Sequence, residues 1–280
     1  MRALRIHSCV LALVWGVAFA GGAAAAGVSG FLPGTQGAAP VQGTYEGEPP
    51  KIAIADPKNK TIVVYSHGTR RPQHVEDCSK SSNRVPRSLM EALNVRRDGG
   101  ALVYYLCSRA TEQTTRTTAG EYIYKRMAEV EHTLDQLIAA GVEPKRIFLA
   151  GHSAGGWTSL MMGRTAAKKF NSVIAFAPAF AGPRSETEQY PWWRKVARPK
   201  QVAEMTKPPR LEALVFAYAD DPFNRPEDLD FLAKRYPQSV KLVGYDCPLV
   251  KRTHLTHLDD CREDKTTALI RDYVKRRVGE

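Results

Sequence analysis

The stretch R-I-F-L-A-G-H-S-A-G-G-W, at residues 146–157, decides the fold of this chain. Its first half is a short apolar run typical of a buried strand, and its last residues begin a helical pattern. Gly151, Ser153 and Gly155 therefore place a Gly-x-Ser-x-Gly set in a tight turn between a strand and a helix. Such a turn strains the backbone of its middle residue, pushes the serine Oγ out of the sheet edge and requires small residues on both sides. The pattern predicts that Ser153 is a nucleophile.

The position of Ser153 at the start of the helix supports this prediction. Free backbone N–H groups and the helix macrodipole favour a negative charge that develops there. The alternative is an ordinary glycine-rich turn that contains a serine by chance. The strand before the turn and the helix after it favour catalysis, because that context defines a nucleophile elbow.

These residues follow a predicted amphipathic helix that ends A-A-G-V-E-P-K at residues 139–145. Together they resemble the same region of α/β-hydrolases, in particular the small esterases of the dienelactone-hydrolase type. The resemblance extends from residue 50 to the C-terminus and is strongest over residues 62–160. It implies an α/β-hydrolase fold: a doubly wound, mostly parallel sheet flanked by helices, with a short cap-like insertion.

The alternation of strand and helix patterns along the chain also indicates a mostly parallel sheet, with a site at the carboxyl ends of its strands. Residues 180–209 interrupt the alternation and form the predicted insertion, where Trp192 and Trp193 either line the pocket or anchor the insertion to the core. The predicted strands are 51–55, 61–66, 101–106, 147–150, 172–176, 211–218 and 239–245, and the predicted helices are 87–93, 118–140, 157–170, 226–235 and 264–278.

The N-terminus has the pattern of a removable export signal, predicted over residues 1–26. Arg2 and Arg5 precede an apolar stretch at 10–20, which is followed by small residues that suit cleavage. An uncleaved membrane anchor is the alternative, and the glycine- and alanine-rich end favours cleavage. Cys9 precedes the apolar stretch, so a lipid-anchored cysteine is not expected. The mature protein is expected in the periplasm or outside the cell.

Two further segments complete the predicted organisation of the chain. Residues 27–50 are rich in Gly, Pro, Ala and Thr without a helical or strand period, and they predict a flexible segment. Residues 51–280 are long enough for one large α/β domain with an ample core. No long apolar stretch recurs after the signal, so no membrane span is expected in the mature chain.

Export changes the interpretation of the cysteines. Removal of Cys9 leaves four, Cys78, Cys107, Cys247 and Cys261, an even set in an oxidising compartment. Three pairings are available. We expect Cys78–Cys107 and Cys247–Cys261, because each pair flanks one stretch near the expected active face. A metal site is the rival, but the chain lacks a C-x-x-C spacing, and its H-x-x-H is not H-E-x-x-H.

The chain is basic, with a formal net charge of +11, and loss of the two signal arginines leaves +9. Its basic pairs, such as Lys125-Arg126, are scattered over helix ends and polar faces without interleaved aromatic residues. We therefore expect a solvated basic surface and no specific binding of nucleic acid. The expected partner is a small-molecule ester.

The resemblance also implies the oxyanion hole. The predicted strand at 61–66 ends in a His-Gly turn, and in the family this turn supplies a backbone N–H, which here belongs to Thr69. The second donor is then the N–H of Ala154, directly after the nucleophile. A tetrahedral oxyanion needs such preorganised donors. His67 is expected to pack beneath the turn and not to act as a base.

The acid is expected just past the strand at 211–218, because the triad order on this fold is serine, acid, histidine. Asp220 and Asp221 both lie there. The following proline makes the turn resemble the acid loop of the family, and this favours Asp221 over Asp220.

The base is expected between the last strand and the closing helix, where His254 and His257 both lie. Their spacing permits either. We favour His257, because it is nearer the closing helix and a Cys247–Cys261 bridge would hold its end of the loop more firmly. His254 would then be a polar neighbour at the rim of the pocket.

These residues predict a serine hydrolase that cleaves a carboxylic ester through an acyl-enzyme, with no metal or organic cofactor. Two alternatives stay open. One is a serine peptidase or amidase of the same fold, and the other is a non-catalytic binding protein that keeps the hydrolase fold.

Overall fold

The computed structural model describes residues 28–32, 52–69, 84–93, 101–108, 110, 121–180, 182, 193–247, 254, 261 and 263–279. Within these residues, seven strands form one sheet in the order β1-β3-β2-β4-β5-β6-β7. All neighbouring strands are parallel except β1, which is antiparallel to β3. The strands are β1 Val28–Phe31, β2 Thr61–Ser66, β3 Ala101–Cys107, β4 Ile147–His152, β5 Ser172–Phe176, β6 Ala213–Tyr218 and β7 Val240–Tyr245.

Helices cover both faces of the sheet, so the predicted doubly wound, mostly parallel architecture is confirmed. One apolar layer lies under α2, α3, α4 and α5, and the other lies under α1 and α6. Along β2, Ile62 and Val64 face the first layer while Val63 and Tyr65 face the second, so this strand is apolar throughout. The helices are α1 Arg87–Ala92, α2 Tyr122–Ala139, α3 Ala154–Met161, α4 Arg198–Thr206, α5 Pro226–Arg235 and α6 Glu263–Val278.

The strand order reverses between β2 and β4, and this reversal positions the site. The chain leaves β2 toward β3 on one side and later returns to β4 on the other. Ser66, the last residue of β2, pairs with Gly151 near the end of β4. The turn at 67–69 therefore lies beside the turn that carries Ser153, in the crevice where open α/β sheets bind their ligands.

The main differences between the predicted and the observed elements concern β1, the strand at 51–55 and α3. Residues 28–31, inside the segment predicted to be flexible, form β1 and cover the edge of β3, whose backbone groups would otherwise stay unpaired. The strand predicted at 51–55 is not formed over the described residues 52–54. The helix predicted at 157–170 begins earlier, at Ala154, and ends at Met161, where a short 3₁₀ turn follows.

The predicted insertion contains α4, which follows a π-helical turn, Trp193–Ala197, and places the buried Met205 in the first apolar layer. Trp192 lies outside the described residues, as do residues 1–26 of the predicted signal. None of the helices in the described part of the chain is long and apolar enough to cross a membrane.

Candidate active site

Ser153 lies in the turn between β4 and α3 and has the strained backbone that the sequence predicts. Its φ is 55° and its ψ is −122°, a conformation that costs a non-glycine residue about 1–3 kcal/mol. Backbone hydrogen bonds hold it there: its N–H donates to the carbonyl of Phe176 over 3.0 Å, and its own carbonyl accepts from Trp157 and Ala179. The surrounding elements thus enforce the elbow.

The two glycines of the motif permit the close approach of β2. A Cβ on Gly155 would overlap the carbonyl oxygen of Ser66, and a Cβ on Gly151 would lie 2.7 Å from the same oxygen. Any larger side chain would therefore push the elbow away from β2. This confirms the steric reason for the small residues on both sides of Ser153.

Ser153, His254 and Asp221 form one hydrogen-bonded chain. Nε2 of His254 lies 2.8 Å from the Oγ of Ser153, and Nδ1 of the same ring lies 2.9 Å from Oδ2 of Asp221. A carboxylate can only accept, so Nδ1 carries the hydrogen and Nε2 is left to accept the serine proton. The arrangement can therefore remove a proton from Ser153.

Asp221 is fully buried in the turn after β6, and its second oxygen has partners as well. Oδ1 accepts the N–H of Phe223 over 2.7 Å and that of Asn224 over 3.3 Å. These two donors orient the carboxylate toward His254. The carboxylate that reaches the histidine is thus that of Asp221, the residue that the sequence analysis favours over its neighbour Asp220.

Two aromatic rings enclose the imidazole of His254. The ring of Phe223 lies 4.4 Å from it between centroids, and the ring of His152 lies 4.9 Å from it. His152 also hydrogen-bonds the backbone carbonyl of His254 through Nε2, over 2.8 Å. The histidine in contact with Ser153 is therefore His254, the alternate of the sequence prediction, while the favoured His257 lies outside the described residues.

The predicted oxyanion donors belong to two backbone segments near Ser153. Ala154 is the first residue of α3, where backbone N–H groups have no partner within the helix. Gly68, directly before Thr69, is so close that a Cβ added to it would lie 3.5 Å from the Cβ of Ser153. The turn that carries the Thr69 N–H thus passes next to the nucleophile.

His67 packs beneath this turn, as predicted. It is fully buried, and its Nε2 lies 3.0 Å from both the backbone N and the backbone O of Ser108. Burial, with a smaller contribution from the charge of Arg126, lowers the pKa of His67 to about 3. The ring is neutral at physiological pH and links the ends of β2 and β3.

The sequence predicts that Arg126 of α2 is solvated together with Lys125, and this prediction is wrong. Its side chain is 1% exposed and donates to three backbone carbonyls, those of Ala110, His67 and Gly68. The signal was available in the helical period, since Arg126 lies four residues after Tyr122 and four before Val130, on the apolar face. Its positive charge concealed that position.

A disulfide joins Cys247 and Cys261, as predicted, with their Cα atoms 6.2 Å apart. It closes the segment that carries His254 and links the end of β7 to the start of α6. Cys107 is also disulfide-bonded, and its expected partner Cys78 lies outside the described residues. Among the described side chains, no group of three or more His, Cys, Asp or Glu residues has the arrangement of a metal site.

Comparisons with known proteins agree with this architecture. The model of a family described as "Putative esterase" matches residues 101–243, just over half of the chain. No curated protein matches the sequence.

Solved structures are similar in fold. An esterase from Pyrobaculum calidifontis is 18% identical with a TM-score of 0.53, covering 80% of this chain and 79% of its own. Est1E from Butyrivibrio proteoclasticus is 16% identical with a TM-score of 0.52, covering 81% and 92%. A puromycin-hydrolysing peptidase from Mycobacterium tuberculosis is 15% identical with a TM-score of 0.55, covering 82% of this chain and 36% of its own. At these identities the likeness concerns the fold alone.

Proposed function

Since the chain belongs to the putative esterase family and is a carboxylic-ester hydrolase of the α/β-hydrolase fold, we propose that it cleaves its ester with Ser153 as nucleophile, His254 as base and Asp221 as acid. The observation that carries this proposal is the imidazole of His254, which lies within hydrogen-bond distance of Ser153 on one side and of Asp221 on the other. A serine hydroxyl is a weak nucleophile until such a base removes its proton.

In the first half-reaction, Nε2 of His254 takes the hydroxyl proton while Oγ of Ser153 attacks the carbonyl carbon of the ester. The imidazolium that forms is stabilised by the carboxylate of Asp221, which keeps the ring in its tautomer and orientation. The tetrahedral intermediate collapses, the C–O bond to the alcohol breaks, and His254 returns the proton to the departing alcohol oxygen. An acyl-enzyme on Ser153 remains.

The negative oxygen of the intermediate lies between the N–H groups of Thr69 and Ala154 in this proposal. Both donors belong to backbone that the fold holds in place, so they need not reorganise when the charge develops. The N-terminal end of α3 adds its dipole at the same position.

The second half-reaction repeats the same steps with water. His254 removes a proton from the water as its oxygen attacks the acyl carbon. Collapse of the second intermediate breaks the bond between this carbon and Oγ of Ser153, His254 returns the proton to Oγ, and the carboxylic acid is released. The chain's own residues supply every proton transfer.

The same machinery attacks an amide, and a peptidase or amidase is therefore the second candidate. The likeness in fold to a puromycin-hydrolysing peptidase favours testing it. The family assignment favours the ester. A protein that only binds its ligand has no use for a strained Ser153 that is hydrogen-bonded to a histidine, and we rank that candidate last.

We also propose that the protein works outside the cytoplasm. The signal-like pattern at residues 1–26 supports this location, and the Cys247–Cys261 disulfide is typical of an oxidising compartment. N-terminal sequencing of the protein recovered from an export-competent bacterium tests the proposal. A mature chain that begins near residue 21 or 27 is the expected result, and an intact Met1 would contradict it.

The catalytic proposal is tested by comparing Ser153→Ala with the wild type on a short-chain p-nitrophenyl ester and on the matching p-nitroanilide. We expect a burst of p-nitrophenol from the wild type and a loss of kcat of about 10⁴- to 10⁶-fold in the variant, as in other triads. Ser239→Ala is the matched control, because its hydroxyl donates to Leu211 at the opposite end of the sheet. Ester turnover by Ser153→Ala at the wild-type rate would overturn the proposal, and faster anilide cleavage would favour the peptidase.

A further inference from the structure

A buried arginine lies directly behind the turn that carries the proposed oxyanion donor. Arg126 projects from α2, and its two terminal nitrogens donate to consecutive carbonyls of this turn. Nη1 lies 2.7 Å from the oxygen of His67, and Nη2 lies 3.0 Å from the oxygen of Gly68. Its Nε donates to the carbonyl of Ala110, after β3, over 2.8 Å. One side chain thus ties together the segments that follow two neighbouring strands.

The planarity of the peptide bond connects this contact to the proposed oxyanion hole. The carbonyl of Gly68 and the N–H of Thr69 belong to the same trans peptide, so they point in opposite directions. Because the carbonyl is directed at Arg126, the N–H is directed away from α2. The guanidinium therefore sets the direction of the Thr69 N–H by holding the other end of its peptide group.

The geometry of the guanidinium suits this task better than that of any other side chain. It is planar, always charged, and presents its donors in a fixed fork, so two adjacent carbonyls are held at fixed positions relative to each other. Burial of such a charge is costly unless it is fully compensated. Here the three carbonyl oxygens and the ring of Tyr122, whose centroid lies 5.6 Å from the guanidinium carbon, provide the compensation.

We infer that Arg126 is a positioning residue for ester hydrolysis, which preorganises the Thr69 N–H for the oxyanion without touching the substrate. The inference rests on the proposed function, since it assigns Arg126 to the oxyanion hole of that same site. Substitution of Arg126 should therefore weaken the stabilisation of the transition state alone. The ester before reaction, whose carbonyl carries little charge, should bind as before, while the tetrahedral oxyanion loses a fixed donor.

The test compares Arg126→Lys and Arg126→Gln with the wild type. The lysine keeps the charge but presents a single flexible ammonium, and the glutamine keeps one donor nitrogen without the charge. Arg277 provides the matched control, because it also donates several hydrogen bonds, to Asn171 and Glu212, at the opposite end of the sheet. The measurements are kcat and KM for a p-nitrophenyl ester, the rate of phosphonylation of Ser153 by a fluorophosphonate, and the melting temperature.

For both Arg126 variants we expect kcat to fall on the order of 10- to 100-fold, which is somewhat less than the loss when an oxyanion-hole donor itself is removed. KM should stay within about twofold of the wild-type value. Phosphonylation, which passes through a similar anionic state, should slow in parallel. Arg277→Lys should lower the melting temperature while leaving both rates unchanged.

Three outcomes would overturn the inference. The first is an unchanged kcat in the folded Arg126 variants. The second is a rise in KM without a fall in kcat, and the third is failure of both variants to fold, because Arg126 would then serve the fold and not the turn. Failure of the proposed function has a different signature: the wild type itself would neither hydrolyse the ester nor react with the fluorophosphonate.

Discussion

The ring of His152, the residue just before Ser153, packs against the ring of His254 and hydrogen-bonds its backbone carbonyl over 2.8 Å. The nucleophile elbow thus holds the proposed base through a side chain of its own as well as through the Oγ of Ser153. The segment that carries His254 is long, and this second attachment fixes the backbone at the position where a displacement would be most costly for proton transfer.

The first prediction concerns the choice between the two histidines. His254→Ala should lose about as much activity as Ser153→Ala, roughly 10⁴- to 10⁶-fold in kcat, since groups that act as one unit are lost together. His257→Ala is the matched control and should lose far less. Both variants are compared on the same p-nitrophenyl ester. If His257→Ala is the inactive one, the assignment of the base is reversed.

The second prediction concerns the acid. Asp221→Asn should lower kcat on the order of 10⁴-fold, because an amide in place of the carboxylate favours the wrong tautomer of His254. Asp220→Asn changes the adjacent residue in the same way and should stay within about threefold of the wild type, since its carboxylate is not the one that holds the imidazole. Equal losses in the two variants would show that the turn and not the carboxylate matters.

A third prediction follows from Glu129, which is buried on α2 next to Arg126. Burial raises the pKa of this carboxyl from 4.5 to about 7, although a hydrogen bond with Ser108 and the charge of Arg126 act in the opposite direction. The folded protein therefore retains this proton to a higher pH than the unfolded chain. The resulting contribution to stability is complete below pH 4.5 and is lost as the pH rises to about 7.

Glu129→Gln mimics the protonated form and should remove this slope. Above pH 7 the variant should be more stable than the wild type, by up to about 3 kcal/mol. Urea unfolding at several pH values between 4.5 and 8 measures the difference. Glu131→Gln, which changes a half-exposed partner of Lys169 on the same helix, is the control and should show no such gain. Parallel profiles for Glu129→Gln and the wild type would contradict the prediction.

The fourth prediction concerns the Cys247–Cys261 disulfide. Replacing both residues by serine should reduce the free energy of unfolding by about 3 kcal/mol, the value expected for a closed loop of this size. Because the loop carries His254, kcat should also fall more than KM rises. Calorimetry and ester kinetics measure the two effects under non-reducing conditions, which keep the disulfide of Cys107 intact in both proteins. Full activity in the double variant would show that His152 and Phe223 hold the base unaided.

The sequence was sufficient for six of the seven strands of the sheet, β2 to β7, and it favoured two of the three residues of the proposed triad. A strand, a tight glycine turn and a helix are local features, and the sterics around Gly151 and Gly155 are determined within a few residues of Ser153. Asp221 was favoured because the proline that follows it makes the turn resemble the acid loop of the family, and this feature is local as well. Predictions of this kind need only the chain within one or two elements.

The remaining features depend on contacts between distant segments, and the sequence alone could not settle them. Which histidine lies beside Ser153 depends on contacts between distant segments, since the ring of His254 packs against those of His152 and Phe223. The pairing of β1 with β3 depends on an exposed sheet edge and not on any pattern in V-S-G-F. The helical period places Arg126 on the apolar face of α2, but its partners there include the carbonyls of His67 and Gly68, which lie almost 60 residues earlier in the chain.

The left-handed φ of Ser153 has a consequence for the evolution of the sequence at this position. Glycine adopts this conformation freely, so Ser153→Gly would relieve a strain of about 1–3 kcal/mol, only partly offset by the greater freedom of glycine in the unfolded chain. The catalytically inactive variant would then be more stable than the wild type. Stability and catalytic activity therefore oppose each other at position 153. A single substitution that increases the free energy of unfolding would convert the hydrolase into a protein that binds its ligand without cleaving it.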